Sequence, residues 1–148
     1  MKHLAPYAFV LLCLTSATGF SQTGTKPKQF SNYPDVINCS EAELSKIFTA
    51  AAGQNINLSF SDNFSFAGPI TSLVVKYSNL QSANIKSPLF NNSLLNISKR
   101  TNEDNSITYV GRIVNMDYFD GYELTKNTNG NYQLIKFETD RVIQHCKQ

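Results

Sequence analysis

Between residues 115 and 123 the chain reads Asn-Met-Asp-Tyr-Phe-Asp-Gly-Tyr-Glu. No other stretch gathers so many groups that could do chemistry. Its carboxylates are Asp117, Asp120 and Glu123. Three carboxylates joined by backbone carbonyls are ligands of the kind that hold Ca²⁺. The spacing does not fit an EF-hand loop, because Asp117 and Asp120 stand three apart where D-x-D ligands stand two apart. Asp120-Gly121 therefore reads first as a turn between strands, with Glu123 facing solvent and calcium only a candidate. The same stretch carries Tyr118, Phe119 and Tyr122. Aromatic side chains beside a turn suit a contact patch for a protein or a sugar. They also suit the core of flanking strands.

Catalytic chemistry finds little support. The chain has no Gly-rich phosphate loop, no G-x-S-x-G elbow and no H-E-x-x-H pair. Its two histidines are His3 and His145. A pair of carboxylates for glycoside hydrolysis lacks a second wall to form a cleft. No cofactor or resident metal is expected, and an enzyme is the less favoured class.

The second chemical feature is cysteine. Residues 1–21 read as a secretory signal: Lys2 and His3, then an apolar run from Ala8 to Leu14, then Gly19 and Ser21 placed for a cut before Gln22. The apolar run is too short to span a bilayer well. Cleavage would leave Cys39 and Cys146. An even pair in an exported chain reads as a disulfide, in a compartment that permits one. Closing a loop of about 100 residues gives roughly 4–5 kcal/mol in the chain-entropy model. A zinc site lacks ligand spacing. The expected location is secreted or periplasmic, with no membrane span after processing.

The formal net charge is +2, from 13 basic and 11 acidic side chains. Nucleic-acid partners want a clustered basic face, and Lys26-Pro27-Lys28 is too small to be one. Possible partners reduce to an extracytoplasmic protein or a polysaccharide.

These residues must be positioned by a scaffold. Residues 22–33 read as a flexible lead-in, with Phe30, Tyr33 and Pro34 placed to pack onto the domain, and residues 34–148 as one domain. Ser40 and Glu43 have capping-box spacing. Leu44, Ile47, Phe48 and Ala51 follow as one apolar stripe, with Gly53 as the expected left-handed cap. After this single helix the pattern has period two. Ile56, Leu58 and Phe60 alternate with polar residues, Phe64 and Phe66 resume the alternation, and Gly68-Pro69 interrupts it. Leu73, Val75 and Tyr77 share one face with Val74 opposite, which predicts a strand covered on both sides. Ala83–Lys86 is a weak strand ended by Pro88. Two hairpins follow, one over residues 95–113 with a bulge expected at Gly111, one with Asn129-Gly130 at its tip.

The expected fold is α+β: one N-terminal helix on a twisted antiparallel sheet of about six strands, or alternatively a small β-sandwich or open barrel with one helix. A helix laid on an antiparallel sheet is similar to the cystatin arrangement, which implies an inhibitor of an extracellular hydrolase. The cystatin hairpin motif Q-x-V-x-G is missing, and Tyr109-Val110-Gly111 shares only its last letters. The expected function is a small exported, non-catalytic binding or accessory domain. The alternatives are a hydrolase inhibitor, or a carrier of a small apolar ligand between helix and sheet.

Overall fold

The computed structural model describes residues 26–139. In chain order it contains β1 (Val36–Cys39), α1 (Glu41–Thr49), β2 (Asn55–Ser61), β3 (Phe64–Tyr77), β4 (Leu80–Ser87), a 3₁₀ turn (Pro88–Phe90), β5 (Ser93–Thr101), β6 (Ile107–Val114), β7 (Asp120–Lys126) and β8 (Tyr132–Glu138). The strands form one antiparallel sheet in the order β1-β8-β7-β6-β5-β4-β3-β2. β1 and β2 also touch without pairing, so the sheet is nearly barrel-shaped and open at one seam. The open-barrel alternative is therefore nearer than a flat sheet of six. Six was an undercount because β1 is short and β4 carries few β-branched residues. β4 forms because β3 and β5 hydrogen-bond it on both sides.

The helix begins as its sequence directs. Ser40 Oγ accepts from the amide of Glu43 at 3.2 Å. The capping box is only half made, because Glu43 does not reach back. Its carboxylate pairs with Lys46 and accepts from the amide of Ser59 on β2 at 3.1 Å. The helix also stops earlier than expected, with Ala50 already extended. Gly53 has the expected positive φ of +85°, but in the following turn, where its amide donates to Ile70 O at 2.8 Å. Leu44 and Ile47 are fully buried, and the Phe48 ring lies 6.0 Å from that of Tyr109. Burying a side chain of that size is worth about 1.5–3 kcal/mol. The helix belongs to the fold chiefly through those contacts.

β3 corrects two expectations and β6 a third. Gly68-Pro69 does not end it, and one 14-residue strand runs through. Residues 64–69 pair with β2, and from Ile70 onward the strand pairs with β4. The dipeptide is the changeover between those partners, where proline's missing N–H costs least. The far half is exposed on both faces rather than covered: Val74, Val75 and Tyr77 all meet solvent. Gly111 makes no bulge, since Ile97↔Gly111 keeps regular register. A Cβ there would sit 2.6 Å from Asn96 O, so the residue is small because two strands approach closely.

The expected lead-in is part of the packing. Phe30 is fully buried, with ring centroids 5.1 Å from Tyr122, 5.3 Å from Phe90 and 6.1 Å from Phe64. Phe119 N donates to Pro27 O at 2.9 Å, and Lys136 N to Asp35 O at 2.8 Å. The packed structure thus reaches back before residue 34 and fills one end of the barrel with aromatic rings. Phe30, Leu44, Ile47, Phe64, Phe66 and Tyr122 occupy the space where a carrier would hold its ligand. Among the described residues no helix is long and apolar enough to cross a membrane.

Candidate functional site

The structure gives the side chains of the 117–123 segment separate tasks. Asp120 is buried, and both its oxygens accept backbone amides of the lead-in: Gln29 N at 2.6 Å and Phe30 N at 3.0 Å. Charge-assisted bonds of this kind are stronger than neutral ones. Glu123, three residues on, is on the other face of β7, where Arg112 Nη2 donates to it at 2.8 Å. Asp117 is exposed in the β6–β7 connection, its amide donating to Asn115 Oδ1 at 3.0 Å. The calcium candidate is therefore not assembled. Among the described residues no three His, Cys, Asp or Glu side chains are grouped to hold a metal.

The aromatic patch is likewise divided. Tyr122 is fully buried and its hydroxyl donates to Pro34 O at 2.6 Å. Burial pushes that hydroxyl well above the ordinary phenol range. Tyr118 and Phe119 are half-buried in the connection. Tyr118 Oη accepts from Asn91 Nδ2 at 2.6 Å, and Phe119 O accepts from Thr139 N at 2.7 Å. Tyr122 belongs to the buried core and the other two to the connection, so the three do not form one outward surface.

Exposed apolar side chains stand elsewhere, on the outside of the sheet over β3 to β6. Tyr77 is 69% exposed, Val110 57% and Val74 47%; a register shift after Val75 turns Tyr77 to this face, while Val75 is on the other. Strand register places their neighbours. Tyr77, Leu80, Arg100 and Thr108 are opposite one another across β3, β4, β5 and β6. Val74, Ser82, Ser98 and Val110 form the adjacent row, in which the Ser82 and Ser98 hydroxyls are hydrogen-bonded at 2.7 Å. A shallow depression of about 560 Å³ lies along the first row, lined also by Asn79 and Asn102. Arg100 is exposed and makes no ion pair among the described residues. Asn102 Nδ2 donates to Thr108 Oγ1 at 2.9 Å beside it.

The sequence signal for this surface was the presence of apolar residues at both parities of β3. Such a run is either covered twice or left bare on one side. Covering was expected, and the strand is bare.

A second depression, of about 910 Å³, marks the open seam and is lined by Asn38, Cys39 and Ser40 on one side and Asn57, Ser59 and Phe60 on the other. Cys39 is buried and has no disulfide among the described residues. Cys146, its expected partner, is outside the described residues. Burial pushes the Cys39 thiol from 9.0 up to about 12. The thiol therefore stays protonated at neutral pH.

Compared with protein-family models, with curated proteins and with solved structures, the chain matches none.

Proposed function

We propose that this protein is a small, non-catalytic binding domain that acts outside the cytosol on a surface polysaccharide, through the outer face of β3 to β6. One observation carries the reading: Tyr77 and Val110 are left in solvent beside hydroxyl, amide and guanidinium groups, while Phe30, Phe64, Phe66, Tyr109, Tyr122 and Tyr132 are drawn into the core. An exposed ring with polar neighbours suits a sugar, which has apolar faces and hydroxyl edges. A hydrolase inhibitor is less favoured, because the hairpin tips at residues 78–79, 102–106 and 127–131 are polar and the β4–β5 and β6–β7 connections expose only single apolar side chains, Leu89 and Met116. The filled space between helix and sheet argues against a carrier.

The test is retention on insoluble cell-wall polysaccharides. Wild type should be retained, and Tyr77→Asp should elute several-fold earlier with an unchanged melting temperature. Equal retention of the two proteins would remove this face from the reading.

Export and the disulfide belong to the same proposal. Residues 1–21 supply the signal, and Cys39 joins Cys146. Cys39 is opposite Tyr132 on β8, seven residues before Thr139, and Cys146 is seven residues beyond Thr139. At roughly 3.3 Å per residue the chain has the reach to return. The intact mass of unreduced protein should show no free thiol. After reduction, Cys39 should carry roughly a thousandfold less thiolate than a thiol at 9.0 and alkylate correspondingly slowly at pH 8. Two free thiols in unreduced exported protein would refute the disulfide.

A further inference from the structure

We infer that the depression beside Tyr77 takes an acidic sugar, a uronate unit of the polymer, with Arg100 receiving its carboxylate. This rests on the reading of the outer face as a polysaccharide site and adds a charge requirement to it.

Three features of the register carry the inference. Tyr77 and Arg100 are in one cross-strand row with Leu80 between them, two strand spacings apart. That places ring and guanidinium roughly 10 Å from each other at their backbones. The separation suits adjacent units of a sugar chain, one resting an apolar face on Tyr77 and Leu80 and the next presenting an anion. Second, Arg100 is available. The neighbouring outward cation, Arg112, is taken by Glu123 at 2.8 Å, whereas Arg100 makes no ion pair among the described residues. A guanidinium recognises a carboxylate through two parallel hydrogen bonds. Third, the depression offers both kinds of ground that a sugar uses. Ser98, Thr108 and Asn102 border Arg100 with hydroxyl and amide groups, and Tyr77, Leu80 and Val110 supply apolar surface for a ring face.

The acids of the β5–β6 loop set a direction. Glu103 and Asp104 share a second, smaller depression with Arg100, Asn79 and Asn102. Asp104 is turned to Ser106, accepting from its amide at 3.0 Å and its hydroxyl at 2.6 Å. An anionic chain is repelled from that side and runs from Arg100 towards Tyr77 and β3.

The experiment is calorimetric titration of the protein with oligogalacturonate and with its methyl ester, which keeps the backbone and rings and removes the charge. The acid should bind, and the ester should bind roughly tenfold or more weakly. Arg100→Gln should lower affinity for the acid by a similar factor and leave that for the ester unchanged. Tyr77→Ala should weaken both. Each variant is exposed, and an unchanged thermal melt verifies its fold. Equal affinities for acid and ester, or an Arg100→Gln variant that loses nothing, would overturn the uronate assignment. The same holds if neither sugar binds while the protein is still retained on a neutral polysaccharide, and then the polymer reading stands. Absence of binding to every polysaccharide, acidic or neutral, would overturn both.

Discussion

Phe30→Ala should lower the stability of this domain by about 3–5 kcal/mol, although the residue precedes the first strand. The ring is fully buried and meets Tyr33, Phe64, Phe90 and Tyr122 at centroid distances between 5.1 and 6.2 Å. Truncation removes the transfer free energy of a large side chain and leaves a void that rigid neighbours cannot close. The backbone around it is also held: Asp120 accepts the amides of Gln29 and Phe30, Gln29 Nε2 donates to Phe90 O at 2.6 Å, and Ser93 Oγ donates to Gln29 Oε1 at 2.7 Å. These bonds keep the segment in place and prevent it from relaxing into the gap. Urea unfolding of wild type and variant measures the difference. A loss under about 1 kcal/mol would mean that the segment docks on a barrel already complete without it.

The sequence marked Phe30 as able to pack onto the domain, but its partners and its weight in the core could not be read there, and the reason is physical. Its partners are far along the chain: the hydrogen bonds to Asp120 span 90 and 91 residues. Local pattern reports only neighbours. It therefore located α1 through the Ser40 cap and the Leu44–Ile47 stripe, and it located the β7–β8 hairpin through Asn129-Gly130. Even there the turn differs in detail. Gly130 has φ +82°, but Asn129 does not take positive φ, and Asn127 Oδ1 instead gathers the amides of Asn129 and Asn131 at 3.0 and 2.9 Å. Propensity fails at β4, which is held by its neighbours rather than by its own residues. For the candidate site, parity within β7 already separates Asp120 from Glu123, so a shared metal was disfavoured by the strand itself. The outer face of β3 had the opposite difficulty. Alternation says which residues point away from the core, and only the tertiary fold decides whether anything lies over them. Eight strands with one helix leave much of the outside uncovered, and Tyr77 and Val110 fall in that part.

Gly68→Ala should cost about 3 kcal/mol or more and act by separating β3 from β4. Gly68 does not need glycine for its φ, since only Gly53 and Gly130 take positive values among the described glycines. It needs glycine for space. A Cβ there would overlap the carbonyl oxygen of Lys86 and stand 2.8 Å from the carbonyl carbon and 3.2 Å from Ser87 Cα. These are backbone atoms and cannot rotate aside as a side-chain end would. Lys86 and Ser87 are paired with Leu94 and Ser93 on β5, so β4 cannot retreat without disturbing the next ladder. On its own strand, Gly68 is followed by the changeover from β2 to β4, and Ile56↔Gly68 fixes it from the other side. The strain must therefore be met by breaking pairs. Gly53→Ala is the instructive comparison: nothing is within 4 Å of its added Cβ, but its φ of +85° is unfavourable for alanine, for a cost of about 1 kcal/mol. The same substitution thus reports steric overlap at one site and backbone conformation at the other. Hydrogen exchange separates them. Gly68→Ala should raise exchange along Ile70–Val75 and Gln81–Ile85, whereas Gly53→Ala should raise it only near the turn. If Gly68→Ala unfolds at the same urea concentration as Gly53→Ala with β4 still protected, the close crossing of β3 over β4 is not what holds this corner.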